Sequence, residues 1–354
     1  MSTDTLSRRG FIGAAAGTAA AAGALGPLAG TGLTKGKPSH AQGPKHGHRH
    51  GGDLPHENIG MQLWTVRGLA STDNFGLEGT FEMLADAGYA SVEVGGNYHG
   101  NTASEFKALA DQFGLGVAGS HVPGGHNAWR NNIEQVLDEA ETLGIKYAGV
   151  AIPAGDVPRT VDGFRAMAEE FNGFGEAARA RGIKFYFHNH PDDFTIDNGT
   201  VIYDVLLEET DPDLVWFELD IAWIDAGGQS AYEYVKDNPW RYPLFHVKDL
   251  EYRDDGVRET PGSVANPGRR FNLTPVGKGD IDFAKIFSAL KNVKHHQYLV
   301  EEDDAPNDER NPAGESNTSW FSRKHLAELE IKRGHGRGRG KGHGHGRGRG
   351  RGRR

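Results

Sequence analysis

The strongest constraint on the fold is a regular alternation of short apolar runs and helical segments between residues 58 and 331. Eight runs have the length and composition of buried strands, at 59–66, 91–94, 116–122, 147–152, 183–188, 214–219, 244–247 and 297–300. Segments with an apolar stripe at helical spacing follow them, at 77–86, 105–113, 129–143, 161–181, 201–209, 232–238, 283–290 and 318–331. Eight such units in about 270 residues predict a single-domain α/β fold, the (β/α)8 TIM barrel. A doubly wound open sheet is the alternative, which the lack of a glycine-rich phosphate loop after the first strand disfavours.

The two ends of the chain differ from this body in composition. Ser7-Arg8-Arg9-Gly10-Phe11-Ile12 precedes an uncharged Ala/Gly-rich run, which is typical of a twin-arginine export signal spanning residues 1–41. Residues 42–57 and 332–354 are rich in Gly, His and basic residues, and we expect both to be disordered. The sequence therefore predicts an exported protein with no membrane span after cleavage, and a basic tail able to contact polyanions or the cell envelope.

Charge and cysteine content exclude several classes of protein. Sixteen of the 39 Lys and Arg residues lie in the two ends, whereas 47 of the 48 acidic residues lie in residues 53–331, so this body carries about −24. A body of this charge does not provide the positive surface that nucleic acid requires. The chain has no cysteine, which excludes disulfides, thiolate metal sites and cysteine nucleophiles.

Titratable side chains cluster where the predicted strands end. Active sites of TIM barrels lie at the carboxyl ends of the strands. His188 and His190 end the fifth predicted strand, Glu218 and Asp220 the sixth, His246 the seventh, and Glu301 the eighth. Because clustered buried acids without a cation are costly, these groups predict one divalent ion, with Mn2+, Mg2+, Co2+ and Zn2+ as candidates.

The order and spacing of these residues resemble the xylose-isomerase-like superfamily of sugar phosphate isomerases and epimerases. The resemblance covers roughly residues 58–330 and is carried by Ile59-Gly60-Met61-Gln62-Leu63-Trp64, Phe187-His188-Asn189-His190 with Phe194, Glu218-Leu219-Asp220 with Trp223, His246-Val247-Lys248-Asp249, Val276-Gly277-Lys278-Gly279 and Val300-Glu301-Glu302-Asp303. It implies a divalent ion held by His188, Asp220, His246 and Glu301. Many epimerases of the superfamily have Glu where this chain has His188, and period-two alternation leaves His190 as an alternative to His188.

The resemblance also implies a reaction class. Epimerases of the superfamily move a proton at the carbon next to a carbonyl with two metal-bound glutamates. Here Glu301 is the candidate base, and His188 or His190 is the candidate second acid/base. This pair suits isomerisation, epimerisation, or dehydration of a keto-sugar. A dimer or tetramer is a further implication of the resemblance.

The remaining candidates concern substrate binding and the alternative functions. Candidate substrate contacts are Lys248, Trp223, Glu218, His121, Glu93 and Trp64. For Lys248 the alternative is an ion pair with Asp249 or Glu218; for the two tryptophans it is core packing. The long polar segment 250–280 predicts a lid, within which Arg269 and Arg270 are candidates for an anionic group. The alternative functions are a non-catalytic sugar-binding barrel and a metal enzyme similar to abasic-site endonucleases.

Overall fold

Eight parallel strands close into a barrel, which confirms the predicted fold. The computed structural model describes residues 52–72, 75–253, 271–302 and 314–331. The strands are β1 (Ile59–Gln62), β2 (Ser91–Gly95), β3 (Gly116–His121), β4 (Tyr147–Val150), β5 (Lys184–His188), β8 (Val215–Asp220), β9 (Leu244–Val247) and β12 (Gln297–Val300), with β6 (Ile196–Asp197), β7 (Thr200–Val201), β10 (Asp249–Tyr252) and β11 (Phe271–Thr274) in two hairpins. The order around the barrel is β1-β12-β9-β8-β5-β4-β3-β2.

Helices cover the outside of the barrel between successive strands. They are α1 (Arg67–Ala70), α2 (Gly76–Ala87), α3 (Ala103–Gln112), α4 (Gly125–Asn131), α5 (Ile133–Leu143), α6 (Val161–Ala180), α7 (Ile202–Glu209), α8 (Ile221–Ala226), α9 (Ala231–Asp237), α10 (Phe283–Ser288) and α11 (Gly314–Glu328). The predicted helix 129–143 is two helices, because Asn132 leaves the helical conformation at φ −140°. The first predicted strand ends early, and Leu63–Val66 forms a 3-10 turn.

The polar segment after β9 contains more structure than the sequence predicted. Strands β10 and β11 pair antiparallel, and their apolar side chains Leu250, Phe271 and Leu273 pack against Ala222 and Trp223 of α8. Arg269 and Arg270 lie outside the described residues. The expectation of a lid in this segment stays a prediction.

The folded part begins before residue 58, which corrects the predicted end of the disordered linker. Leu54 is buried in the main core. Asp53 accepts a hydrogen bond from the Ile331 N–H at 2.6 Å and donates its own N–H to the Leu329 carbonyl at 2.9 Å. These contacts connect the chain entering the barrel to the chain leaving α11.

The predicted signal, residues 42–51 and the tail 332–354 lie outside the described residues. Among the residues that are described, no helix has both the length and the apolar character needed to cross a membrane.

Gly119 in β3 and Gly149 in β4 leave room for polar side chains in the barrel interior. An added Cβ at Gly119 would lie 3.2 Å from the Glu93 carboxyl group, and one at Gly149 would lie 2.4 Å from the Tyr186 carbonyl and 2.7 Å from its ring. Both Glu93 and Tyr186 are fully buried. The glycines therefore allow these two side chains to fill the interior.

We expect Gly149→Ala to lower the free energy of unfolding by about 1–3 kcal/mol, the usual cost of overpacking a core. Urea unfolding provides the measurement. The matched control is Gly173→Ala on α6, where an added Cβ meets nothing within 4 Å. That exposed helical position should gain up to about 1 kcal/mol. Equal effects at the two sites would contradict the packing account.

Candidate metal centre

Four buried side chains from neighbouring strands converge at the carboxyl end of the barrel. His188 and Asp220 are the last residues of β5 and β8, His246 lies in β9, and Glu301 follows β12. One ligand atom from each lies within 4.8 Å of the others. These are the four residues that the family resemblance implied as ligands; the structure brings them together, and their role stays a prediction.

The separations between these atoms suit ligands that share one ion. The Asp220 Oδ2 atom is 3.5 Å from His188 Nε2 and 3.9 Å from His246 Nδ1, and Glu301 Oε2 is 3.8 Å from His246 Nδ1. Two ligands at about 2.0–2.2 Å from a common ion lie no more than about 4.4 Å apart. The donor set of two imidazoles and two carboxylates is also one that divalent transition metals accept.

Local structure directs the Asp220 carboxylate toward this site. Asp220 is the N-cap of α8, and its Oδ1 accepts the Trp223 N–H at 2.8 Å, which leaves Oδ2 facing the cluster. The Asn189 side chain brackets the Asp220 backbone, accepting its N–H at 2.9 Å and donating to its carbonyl at 3.2 Å. Asn189 thus supports a candidate ligand, a role that the sequence did not indicate.

The His188 ring is suited to bind a cation. The side chain is only 2% exposed, yet neither ring nitrogen makes a hydrogen bond with any described residue. Burial lowers the pKa of His188 well below its usual value, so the ring is neutral. A buried neutral imidazole with an available lone pair is the form that coordinates a metal.

Lys248 pairs with different acids from those expected. Its ammonium group contacts the Glu301 carboxylate and lies 3.5 Å from Asp220 Oδ2, rather than pairing with Asp249 or Glu218. It also lies 4.0 Å from the centre of the Trp223 ring. Asp249 instead accepts the backbone N–H groups of Gly277 and Gly279 at 2.8 and 2.9 Å.

A second polar group lies deeper in the barrel. Glu93 and Glu218 are fully buried, and the His246 Nε2 atom is 2.7 Å from Glu93 Oε2 and 3.0 Å from Glu218 Oε2. Tyr186 donates to Glu93 Oε1 at 2.5 Å, and His121 Nε2 is 2.7 Å from Glu218 Oε2. Burial is the largest cause of the raised pKa of Glu93 and of Glu218. A histidine ligand whose second nitrogen binds a carboxylate is a common arrangement in metal sites.

An open pocket of about 370 Å3 is lined by three of the four candidate ligands, His188, His246 and Glu301. Its described lining residues are Gln62, Trp64, Gly95, Gly96, His121, Val122, Gly124, Gly125, Ala151, Ile152, His188, His190, His246 and Glu301. The expected substrate contacts Trp64 and His121 therefore line the pocket, and so does the candidate acid/base His190. Trp64 is 43% exposed, so its ring is accessible to a ligand.

Four of the expected substrate contacts lie outside the described lining of the pocket. Glu93 and Glu218 lie beneath the pocket and do not line it, because their strands direct them into the interior. Trp223 does not line it either; it belongs to the unpredicted helix α8 and packs in the cluster formed by the β10–β11 hairpin. Lys248 is fully buried and is also absent from the described lining.

The two adjacent glutamates after β12 face opposite environments. Glu301 faces the pocket, whereas Glu302 accepts hydrogen bonds from Ser322 of α11 at 2.6 Å and from the Val276 N–H at 3.1 Å. Burial raises the pKa of Glu302 to about 7. Because the folded chain binds this proton more tightly than the unfolded chain, the stability it contributes is complete at acid pH and is lost as pH rises through about 7.

We therefore expect Glu302→Gln to change the pH dependence of stability. From pH 5 to pH 8 the free energy of unfolding of the variant, relative to that of the wild type, should rise by about 2–3 kcal/mol, because the variant carries no buried charge at high pH. Urea titrations at the two pH values give this difference. Glu251→Gln, at an exposed position of β10, is the control and should show no such shift. A constant difference across the range would contradict the assigned ionisation.

Comparisons with known proteins were consistent with this architecture. Inosose dehydratase of Clostridium perfringens (strain 13 / Type A) is 30% identical over 140 residues, which cover 39% of this chain and 46% of that protein. The chain thus matches about half the length of these first relatives. Inosose dehydratase of Bacillus cereus (strain AH820) is 26% identical over 258 residues, covering 64% of this chain and 83% of that protein.

A solved sugar phosphate isomerase/epimerase from Parabacteroides distasonis superposes with a TM-score of 0.60 at 22% identity, covering 76% of this chain and 93% of that one. At this identity the likeness supports the fold. The sequence model of the family described as xylose isomerase-like TIM barrel matches residues 81–323, which is more than half of the chain. Together with the closed barrel, this match shows that the chain belongs to the xylose isomerase-like TIM barrel family.

Proposed function

We propose that this protein is a divalent-metal-dependent enzyme that removes a proton next to the carbonyl of a keto-sugar or related polyol ketone and expels water. The observation that carries the proposal is the convergence of His188, Asp220, His246 and Glu301 beside an open pocket that three of them line. The inosose dehydratase relatives support the dehydration reaction, and the solved isomerase/epimerase supports the wider class of sugar chemistry.

The four residues would hold one ion at the base of the pocket. Mixed imidazole and carboxylate donors favour Mn2+, Co2+ or Zn2+ over Mg2+, which prefers oxygen ligands. When bound, a divalent ion polarises the substrate carbonyl and makes the neighbouring C–H group more acidic.

Glu301 is the proposed base. Its carboxylate lies at the wall of the pocket and is 4% exposed, so it reaches substrate while largely shielded from water. It takes the proton from the carbon next to the carbonyl, and the C–H electron pair forms the new carbon–carbon double bond.

His190 is the proposed acid. It lines the same pocket, and its ring lies 4.8 Å from the His188 ring centre and 6.4 Å from that of Trp223. The backbone N–H of His190 donates to Asp193 Oδ2 at 2.7 Å, and the Asp193 carboxylate pairs with Arg159. These two contacts fix the turn that carries the His190 ring. His190 protonates the leaving hydroxyl group as the C–O bond breaks, so the oxygen departs as water.

The carboxylates around the pocket favour elimination over two-base epimerisation. Among the described lining residues, Glu301 is the one carboxylate. Transfer of a proton across a carbon requires acid/base groups on both faces, whereas elimination requires one base and one acid.

The pocket also favours an uncharged substrate. None of its described lining residues is Lys or Arg, and the buried Lys248 ammonium already contacts Glu301. A phosphorylated sugar would require cationic groups that the described lining does not supply. Trp64, at the mouth, offers an apolar face for a sugar ring.

Glu301→Gln should strongly slow turnover while leaving an ion bound, because the amide keeps an oxygen donor but cannot accept the proton. We expect kcat for dehydration of inosose to fall by about 10²–10⁴-fold, measured by the absorbance of the conjugated ketone product. Glu302→Gln is the matched control, since its carboxyl group faces α11, and should leave kcat little changed.

Retained turnover in Glu301→Gln would overturn the role of the base. Chelation with EDTA should also abolish turnover, and Mn2+ or Co2+ should restore it. Sugar binding that survives chelation, with no turnover of any keto-sugar tested, would contradict the proposed enzymatic activity. It would favour the alternative of a non-catalytic sugar-binding barrel.

We also propose that the chain is exported by the twin-arginine route. The supporting feature is the arginine pair Arg8-Arg9 before Phe11 and an uncharged Ala/Gly-rich run. Replacing both arginines by lysine keeps the charge but removes the guanidinium groups, so we expect the protein to remain in the cytoplasm. Fractionation and immunoblotting of a bacterium with this export route gives the measurement, with Arg49→Lys as the control. Normal export of the double variant would contradict the proposal.

A further inference from the structure

A series of close polar contacts runs from the end of β1 to the Nε2 side of His246: hydrogen bonds join Gln62 to His121 and His121 to Glu218, and Glu218 lies 3.0 Å from His246 Nε2. We call its members, Gln62, His121, Glu218, Glu93 and His246, the relay. We propose that Gln62 is a positioning residue for the metal centre: its amide, acting through His121 and the Glu218–Glu93 pair, holds His246 in the tautomer whose Nδ1 lone pair faces the site. This inference rests on the metal-dependent function proposed above.

The first step of the relay has a defined direction. Gln62 Oε1 accepts the Trp64 N–H, so the other end of the amide, an N–H donor, faces His121 Nδ1 at 3.2 Å. His121 Nδ1 must therefore accept. An Nδ1 atom that accepts a hydrogen bond carries no proton, so the ring is neutral and its one proton lies on Nε2, which faces Glu218.

The second step of the relay assigns the donors that the two glutamates accept. His121 Nε2–H donates to Glu218 Oε2 at 2.7 Å. A carboxylate oxygen that already receives one donor still accepts a second, and His246 Nε2 lies 3.0 Å from the same oxygen. Tyr186 O–H occupies Glu93 Oε1, which leaves Glu93 Oε2 for His246 Nε2 at 2.7 Å.

The last step sets the tautomer of His246. Its Nε2 faces one oxygen from each glutamate, and a proton on Nε2 satisfies both contacts. The reverse tautomer would place a lone pair against these oxygens. It would also direct Nδ1–H at Asp220 and Glu301, which lie 3.9 and 3.8 Å from Nδ1, and so block coordination.

The same placement of protons on the two histidine Nε2 atoms argues against a second metal ion at the deeper group. Glu93, His121, Glu218 and His246 also place donor atoms within 4.8 Å of one another. However, coordination requires lone pairs at both Nε2 atoms, and the Gln62 amide keeps the His121 proton on Nε2. The deep group is thus a hydrogen-bonded support for the upper site.

A double-mutant cycle in the full-length chain tests whether Gln62 acts through His121. Gln62→Met removes the donor with little change in volume, and His121→Phe removes the link to Glu218. The probe is Co2+ alone, and its Kd is obtained from the dependence of the unfolding temperature on Co2+ concentration. Histidines that bind ions equally in the folded and unfolded chain do not contribute to this shift.

We expect Gln62→Met to weaken Co2+ binding about 10-fold and His121→Phe by about 10- to 100-fold. The double variant should bind Co2+ no more weakly than His121→Phe, because Gln62 has no route to His246 once His121 is removed. Multiplication of the two effects would show independent packing losses and would overturn the relay.

The matched control is Asn58→Leu, which removes another buried amide at the opposite end of β1. Asn58 donates to the Lys294 and His296 carbonyls and has no contact with the relay. It should lower stability but leave the Kd for Co2+ unchanged. A Kd shift as large as that of Gln62→Met would show a nonspecific effect and would overturn the assignment.

Nitrogen NMR of the wild-type chain labelled with 15N-histidine tests the same inference, and it does not depend on whether a variant folds. We expect the His121 and His246 rings to be protonated at Nε2. Protonation of His121 at Nδ1 would overturn the proposal, as would a second ion bound at the deep group. Absence of any Co2+ effect in the wild-type chain would instead refute the metal-dependent function, which the NMR experiment does not require.

Discussion

Burying titratable groups inside the barrel costs free energy, and the hydrogen bonds and packing of the interior follow from the way that cost is offset. Closure of the barrel removes four acids and three imidazoles from water, namely Glu93, Glu218, Asp220, Glu301, His121, His188 and His246. Each would be expensive in an apolar interior without a partner. The barrel meets this cost in two layers: a deep one in which donors and acceptors match, and an upper one whose geometry suits a cation.

The two layers meet at one side chain. His246 presents Nε2 to the deep carboxylates and Nδ1 to the upper cluster. The hydrogen bonds at Nε2 therefore determine whether Nδ1 presents a lone pair or a proton to that cluster. The inner glycines belong to the same arrangement, because Gly119 and Gly149 leave the space that Glu93 and Tyr186 occupy. Packing, hydrogen bonding and coordination are therefore coupled through a few positions on β2 to β5 and on β9.

The sequence predicted the barrel well because the period of apolar residues reports on secondary structure directly. It also indicated a cluster of titratable residues, since residues at strand ends share one edge of a parallel barrel, and the family resemblance implied His188, Asp220, His246 and Glu301 as the ligands within it. It misplaced Glu93 and Glu218 because alternation shows which face of a strand a residue occupies but not its depth below the rim. For Trp223 the structure agrees with the alternative of core packing, because Asp220 caps the short helix α8, which turns that ring toward the β10–β11 hairpin.

Local periodicity specifies the eight strand–helix units, their order and the residue types that end each strand, so these features can be predicted without the fold. The folded barrel is needed to establish which nitrogen of His246 faces the site, that Lys248 contacts Glu301, and that Gln62 contacts His121. These features depend on distances between strands far apart in the chain. Closure of the barrel brings such atoms within hydrogen-bonding range, and no local pattern encodes which of them will meet.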